Sequence, residues 1–120
     1  MTSTSTLFTL SLDRTRIDDF TEYLSLDGVT LTFDEQDLAS LAAARDVARK
    51  LTDEGKEMFI PTSGPEVEFH GLGGLHELEI ESVTIDCSGE IVIRAEVRHG
   101  RGEGVEFAVA LEELHDAAKR

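Results

Sequence analysis

The sequence has no tryptophan, one tyrosine (Tyr23), one cysteine (Cys87) and two prolines. A lone cysteine excludes an intrachain disulfide, so nothing asks for an oxidising compartment. With aromatics this scarce, the core must rest on leucine, isoleucine, valine and the six phenylalanines. No apolar run approaches the roughly 20 residues of a membrane span. The opening MTSTSTLFTL lacks the basic and long apolar regions of a secretion signal, so a cytoplasmic location is expected. Lysine is also scarce, limited to Lys50, Lys56 and Lys119, and no basic stripe exists. Direct nucleic-acid binding is therefore excluded, because phosphates are gripped by clustered cations.

What the chain does have is acid. Twenty-five Asp and Glu face eleven Lys and Arg, a formal charge of −14 over 120 residues. Such a surface repels anionic membranes and nucleic acids and attracts cations and basic proteins. The same excess, with arginine outnumbering lysine, is also the composition of a chain adapted to a salty interior or encoded by a GC-rich genome. The length fits one domain with a single core. We expect a polar N-terminal tail at residues 1–6 and one domain over 7–120.

Apolar periodicity sketches the elements. Phe8, Leu10 and Leu12 alternate with hydroxyls, as a half-buried strand does. Thr15 to Asp18 has capping-box spacing, and Ile17, Phe20 and Leu24 recur at helical intervals, predicting a short helix ending near Gly28. Val29, Leu31 and Phe33 form a second strand. Asp34 reads as the N-cap of a long helix reaching about Glu54, with Leu38, Leu41, Ala48 and Leu51 buried and Gly55 as its C-terminal cap. Pro61 and Pro65 place a connector after it.

The second half reads as an antiparallel meander. Val67 and Phe69 begin it. Leu78 and Ile80 keep even parity, whereas Val83 and Ile85 are odd, so a β-bulge is required near Glu81–Ser82. Ile91, Ile93, Ala95 and Val97 form the next strand, and Val105, Phe107, Val109 and Leu111 the last. A short terminal helix carries Leu114, Ala117 and Ala118. For Ile85 and Ile91 to share a face, the turn must be Cys87-Ser88-Gly89, with Gly89 left-handed. Val83 then faces Ile93, and beyond the bulge Leu78 faces Val97, Glu77 faces Arg98 and His76 faces His99. A hairpin across GRGEG sets Arg98 opposite Glu106. The fold class is α+β: a mostly antiparallel five- to six-stranded sheet, two main helices on one face and a short C-terminal helix.

No catalytic group nominates itself. The glycine-rich HGLGGLHE has neither dinucleotide nor P-loop spacing, and a strand pattern follows it where a phosphate loop needs a helix. In LDGVTLTFDEQDL, aligning Gly28 with the sixth position of a calcium loop puts Tyr23 first and Asp34 twelfth, so the cage is missing its ligands. Cys87 lies beside Asp86 and Glu90, which raise rather than lower a thiol pKa, and no Gly-x-Ser-x-Gly elbow is present. His70, His76 and His99, with Glu77 or Glu103 near, are the candidate zinc ligands. Cross-strand neighbours lie close enough to share a metal, although HExxH and CxxC motifs are absent.

Parity also gathers Glu66, Glu68, Glu77, Glu79, Arg94, Glu96, Arg98 and Glu106 on the outer face of the sheet. The leading expectation is a non-enzymatic interaction protein that uses this face to bind, and inhibit or regulate, a basic protein partner. Immunity proteins, antitoxins and nucleic-acid mimics share this loose profile. The alternatives are a small-molecule or metal-binding domain at the histidines and a halophile-adapted protein whose charge serves hydration. No cofactor other than zinc is in question, and homodimerisation through a sheet edge or the outer face fits the pattern.

Overall fold

A computed structural model of the protein describes residues 6–19, 27–51, 65–70, 78–97 and 104–119. Alternating apolar and polar residues build two antiparallel sheets. Strand β1 (Phe8–Asp13) pairs with β3 (Gly28–Phe33), and β3 pairs with β4 (Glu66–His70). In this three-stranded sheet Leu12, Val29, Leu31 and Phe33 are buried, with Val67 and Phe69 packed against them. Phe8 lies opposite Phe33, their ring centroids 5.7 Å apart.

The second sheet has the order β2-β7-β6-β5, from β2 (Ile17–Asp19), β7 (Gly104–Ala110), β6 (Glu90–Val97) and β5 (Leu78–Ile85). Its inner face holds Ile17, Ile85, Ile91, Ile93, Ala95, Val105, Phe107 and Val109, all buried. Each of these isoleucine, valine and phenylalanine side chains contributes about 1.5–3 kcal/mol when fully buried. Between Ile80 and Ser82 the β5–β6 register slips. The parity switch in the sequence demanded that bulge. Ile85↔Ile91, Val83↔Ile93 and Leu78↔Val97 pair as the arithmetic predicts. Gly89 closes the hairpin at φ 91°, where only glycine is unstrained.

Helix α1 (Glu35–Leu51) is opened by a reciprocal cap. The Asp37 N–H donates to Asp34 Oδ1 at 2.9 Å, and the Asp34 N–H donates to Asp37 Oδ2 at 2.8 Å. Leu38, Leu41, Ala44 and Ala48 form its buried stripe. Helix α2 (Leu111–Ala118) buries Leu111, Leu114 and Ala117. α1 packs on β3 and β5, and α2 packs on β1 and β7, so each helix touches both sheets and one apolar cluster joins both sheets and both helices.

Five expectations are corrected. The strands divide into two sheets because β4 pairs with β3, across the length of α1, and lies in a different sheet from β5, a choice beyond the reach of any local sequence rule. Arg14–Arg16 form a 3-10 turn and Ile17–Asp19 a strand, where a helix was expected. Asp13 Oδ1 caps that turn by accepting from the Thr15 N–H at 3.0 Å and from the Thr15 hydroxyl. Ile17 then pairs with Phe107, so one chain segment leaves the first sheet and enters the second. Leu51 is 56% exposed, and Leu111 begins α2 and does not end β7. Arg94, not Arg98, lies opposite Glu106, because Glu96 already pairs with Gly104. The shift is by four residues, which preserves every face. Phe20, Leu24, Glu54, Gly55 and Pro61 lie outside the described residues.

Candidate functional site

Both helices occupy the inner side, which leaves the outer faces of the sheets to be read. On the four-stranded sheet the outward rows are Glu79–Glu96–Gly104, Ser82–Arg94–Glu106, Thr84–Val92–Ala108 and Glu90–Ala110. These four strands carry Asp18, Asp19, Glu79, Glu81, Glu90, Glu96 and Glu106 against a single cation, Arg94. Arg94 Nε lies 3.0 Å from Glu81 Oε2, and Nη2 lies 3.5 Å from Glu96 Oε1. The bulge matters here. It presents Glu81 to Arg94 while keeping Val83 and Ile85 inward.

On the three-stranded sheet Glu66 lies opposite Thr32, Glu68 opposite Thr30 and His70 opposite Gly28. A His70 ring nitrogen, Nε2, shares a hydrogen bond with the Thr30 hydroxyl at 2.7 Å. The expected single acidic face is thus split. Glu66, Glu68 and His70 sit on one sheet, and Glu79, Arg94, Glu96 and Glu106 on the other. Glu77, Arg98, Glu103, His76 and His99 lie outside the described residues. Among the described residues, no three His, Cys, Asp or Glu side chains gather as a metal requires.

Two features bracket the charged face. At the 86–90 turn, Asp86 Oδ1 accepts from the Ser88 N–H at 2.9 Å, the Ser88 hydroxyl at 2.6 Å and the Glu90 N–H at 3.0 Å. Partial burial pushes the Asp86 carboxyl up. The donors from Ser88, Glu90 and Gly89 outweigh it and hold the group below its ordinary value. The turn is clamped from outside by Arg49, whose Nε donates to the Cys87 carbonyl at 2.9 Å, and by the Leu111 N–H, which donates to the Gly89 carbonyl at 2.9 Å.

The second feature joins residues 97 apart. Arg16 on the 3-10 turn grips Glu113 on α2 with both terminal nitrogens, at 2.7 and 3.0 Å, and donates to the Ala108 carbonyl at 2.9 Å. Glu113 also accepts from the Ala110 N–H at 2.8 Å, which satisfies one free donor at the start of α2. The Arg16 hydrogen bond, opposed by partial burial and aided by the Ala110 N–H, holds the Glu113 carboxyl below its usual range. Glu113 raises the Arg16 pKa in turn. Sequence reasoning missed both residues. The glutamate three places after Ala110 was a visible capping signal, but nothing local marked Arg16 as its partner.

Chemically, the face offers carboxylates and small apolar positions. The described residues show neither an activated nucleophile nor a ring of N–H donors aimed at a common point. It is suited to cationic groups. No helix among the described residues is long and apolar enough to cross a membrane. No family model, curated protein or solved structure matches the chain, so its function is read from this geometry alone.

Proposed function

We propose that the protein is a small, acidic, non-enzymatic interaction protein that binds a basic protein partner and inhibits or regulates it. One observation carries this reading. The four-stranded sheet leaves its outer face uncovered by either described helix, and there Glu79, Glu90, Glu96 and Glu106, with Glu81 of the bulge, stand against one arginine, Arg94. Glu79 lies directly opposite Glu96, a like-charge pairing that disfavours the fold and that Arg94, 3.5 Å from Glu96, relieves in part. Such a cost is offset when a cationic surface docks, and the field also accelerates encounter.

The test is affinity capture from the native host with the wild type and a Glu79→Gln/Glu96→Gln/Glu106→Gln variant. A basic protein should be retained at low salt and released near 0.5 M salt, where screening shortens the field to a few ångströms. Three lost charges at about 0.5 kcal/mol each should weaken its binding about tenfold. Equal retention by both proteins at both salt concentrations would overturn the proposal.

A further inference from the structure

Towards α2 the charged face changes character. Ala110 stands opposite Glu90 and Ala108 opposite Val92, so the outer side of β7 carries no long side chain there. A cleft of about 330 Å³ opens over these alanines, walled by Arg16, Glu113 and the turn residues Ser88 to Glu90. Its charges nearly cancel. The Glu113 carboxylate is filled by Arg16 and by the Ala110 N–H. That internal carboxylate occupies the start of α2, where an external anion would otherwise settle. Glu90 is exposed and has no ion-pair partner among the described residues. The cleft therefore combines an apolar floor with one uncompensated negative charge on its wall.

Such a cavity complements a lysine or arginine, whose methylene stem packs on apolar surface while its head stays with a carboxylate. We infer that the Ala108–Ala110 cleft is the anchor socket of the docking face and takes one lysine or arginine side chain of the basic partner. The stem lies on Ala108 and Ala110, and the head meets Glu90. This inference rests on the acidic-face reading above and adds to it a position and a stoichiometry of one cation. A metal ion finds only Glu90 free there. An apolar partner segment would bury the Glu90 charge without compensation.

The probe is an acetylated hexalysine amide, titrated into the ¹⁵N-labelled full-length protein at low salt. Wild type should show saturable amide shifts at Glu90, Ala108, Ala110 and Glu113. Ala110→Leu fills the cleft without altering charge, and Glu90→Gln removes the charge without altering shape. Each should abolish the cleft shifts, while shifts at Glu79, Glu96 and Glu106 persist in Ala110→Leu. Spectra unchanged away from the cleft establish that both variants fold. Wild-type shifts confined to Glu79, Glu96 and Glu106, or cleft shifts undiminished in Ala110→Leu, would overturn the socket and leave the acidic-face reading standing. No response at any amide would overturn both.

Discussion

In the three-stranded sheet the outward side chains of β1 and β3 include Thr9, Ser11, Thr30 and Thr32, and the edge strand β4 brings Glu66, Glu68 and His70. In the four-stranded sheet the charge runs through the central strands β6 and β7, at Glu90, Arg94, Glu96 and Glu106. The buried sides of both sheets obey the same alternation of branched and aromatic residues. Hydroxyls suit a strand and leave the central strand β3 uncharged, so the acids of this face sit on its edge. Central carboxylates carry repulsion that folding alone does not require. Alternation is therefore the requirement of the core, while the choice of polar residue is left free on each outer face.

The comparison breaks most visibly if the two sheets are separate folding units. Phe33 and Phe107 are the large aromatic side chains of the two inner faces, 1% and 2% exposed. Phe33→Ala and Phe107→Ala should each cost about 3–5 kcal/mol. Because one cluster contains both rings, each variant should move a single urea transition, followed by circular dichroism and by amide exchange. Loss of protection in only one sheet would show that the halves unfold separately.

Next in size is the link between them. Glu113→Gln should cost about 1 kcal/mol, modest because Arg16 and Glu113 are both more than one-third exposed. The folded Glu113 carboxyl is held below its ordinary value. Its contribution is therefore complete above about pH 4.3 and is lost as pH falls through the lowered folded value. Urea midpoints of wild type and variant should converge in that acid range; a gap that persists below it would count against the assignment.

The smallest effect sits where α1 meets the hydroxyl-faced sheet. Partial burial, together with the charges of Asp34 and Glu66, raises the Asp37 pKa despite the Asp34 N–H. Here the sign reverses: the folded state takes the proton first, so this site adds stability as pH falls through the raised value towards about 3.9. Asp37→Asn keeps an acceptor for the Asp34 N–H. It should stabilise the protein by a few tenths of a kcal/mol at neutral pH and flatten that acid-side gain in thermal melts. A loss of stability at neutral pH would show that ionised Asp37 is favoured by the helix dipole more than it is penalised.

Local features were legible in the sequence, and distant pairings were not. The bulge at Glu81–Ser82, the Gly89 turn and the Asp34 cap each follow from a parity rule or a side-chain reach of a few residues. Ile17, Phe20 and Leu24 matched a helix, but Ile17 was claimed by a strand pairing with Phe107, which no window of sequence contains. The same holds for β4, whose partner β3 lies across the whole of α1. Of the candidate face, Arg94, Glu96 and Glu106 were correctly placed on one outer surface. The cleft beside them depends on Arg16 meeting Glu113, and distance along the chain hid it.

The segment that leaves one sheet and enters the other also dictates when the fold can be completed. Pairing Ile17 with Phe107 closes a loop of 90 residues (107 − 17), and loop-closure entropy must be met before that contact rewards it. β1 and β3 can find each other early, as near neighbours in the chain. The four-stranded sheet lacks its edge strand until β7 has left the ribosome and can pair with β2. Assembly of the acidic face is thus a late event, and a nascent chain carries its charge without the surface that organises it.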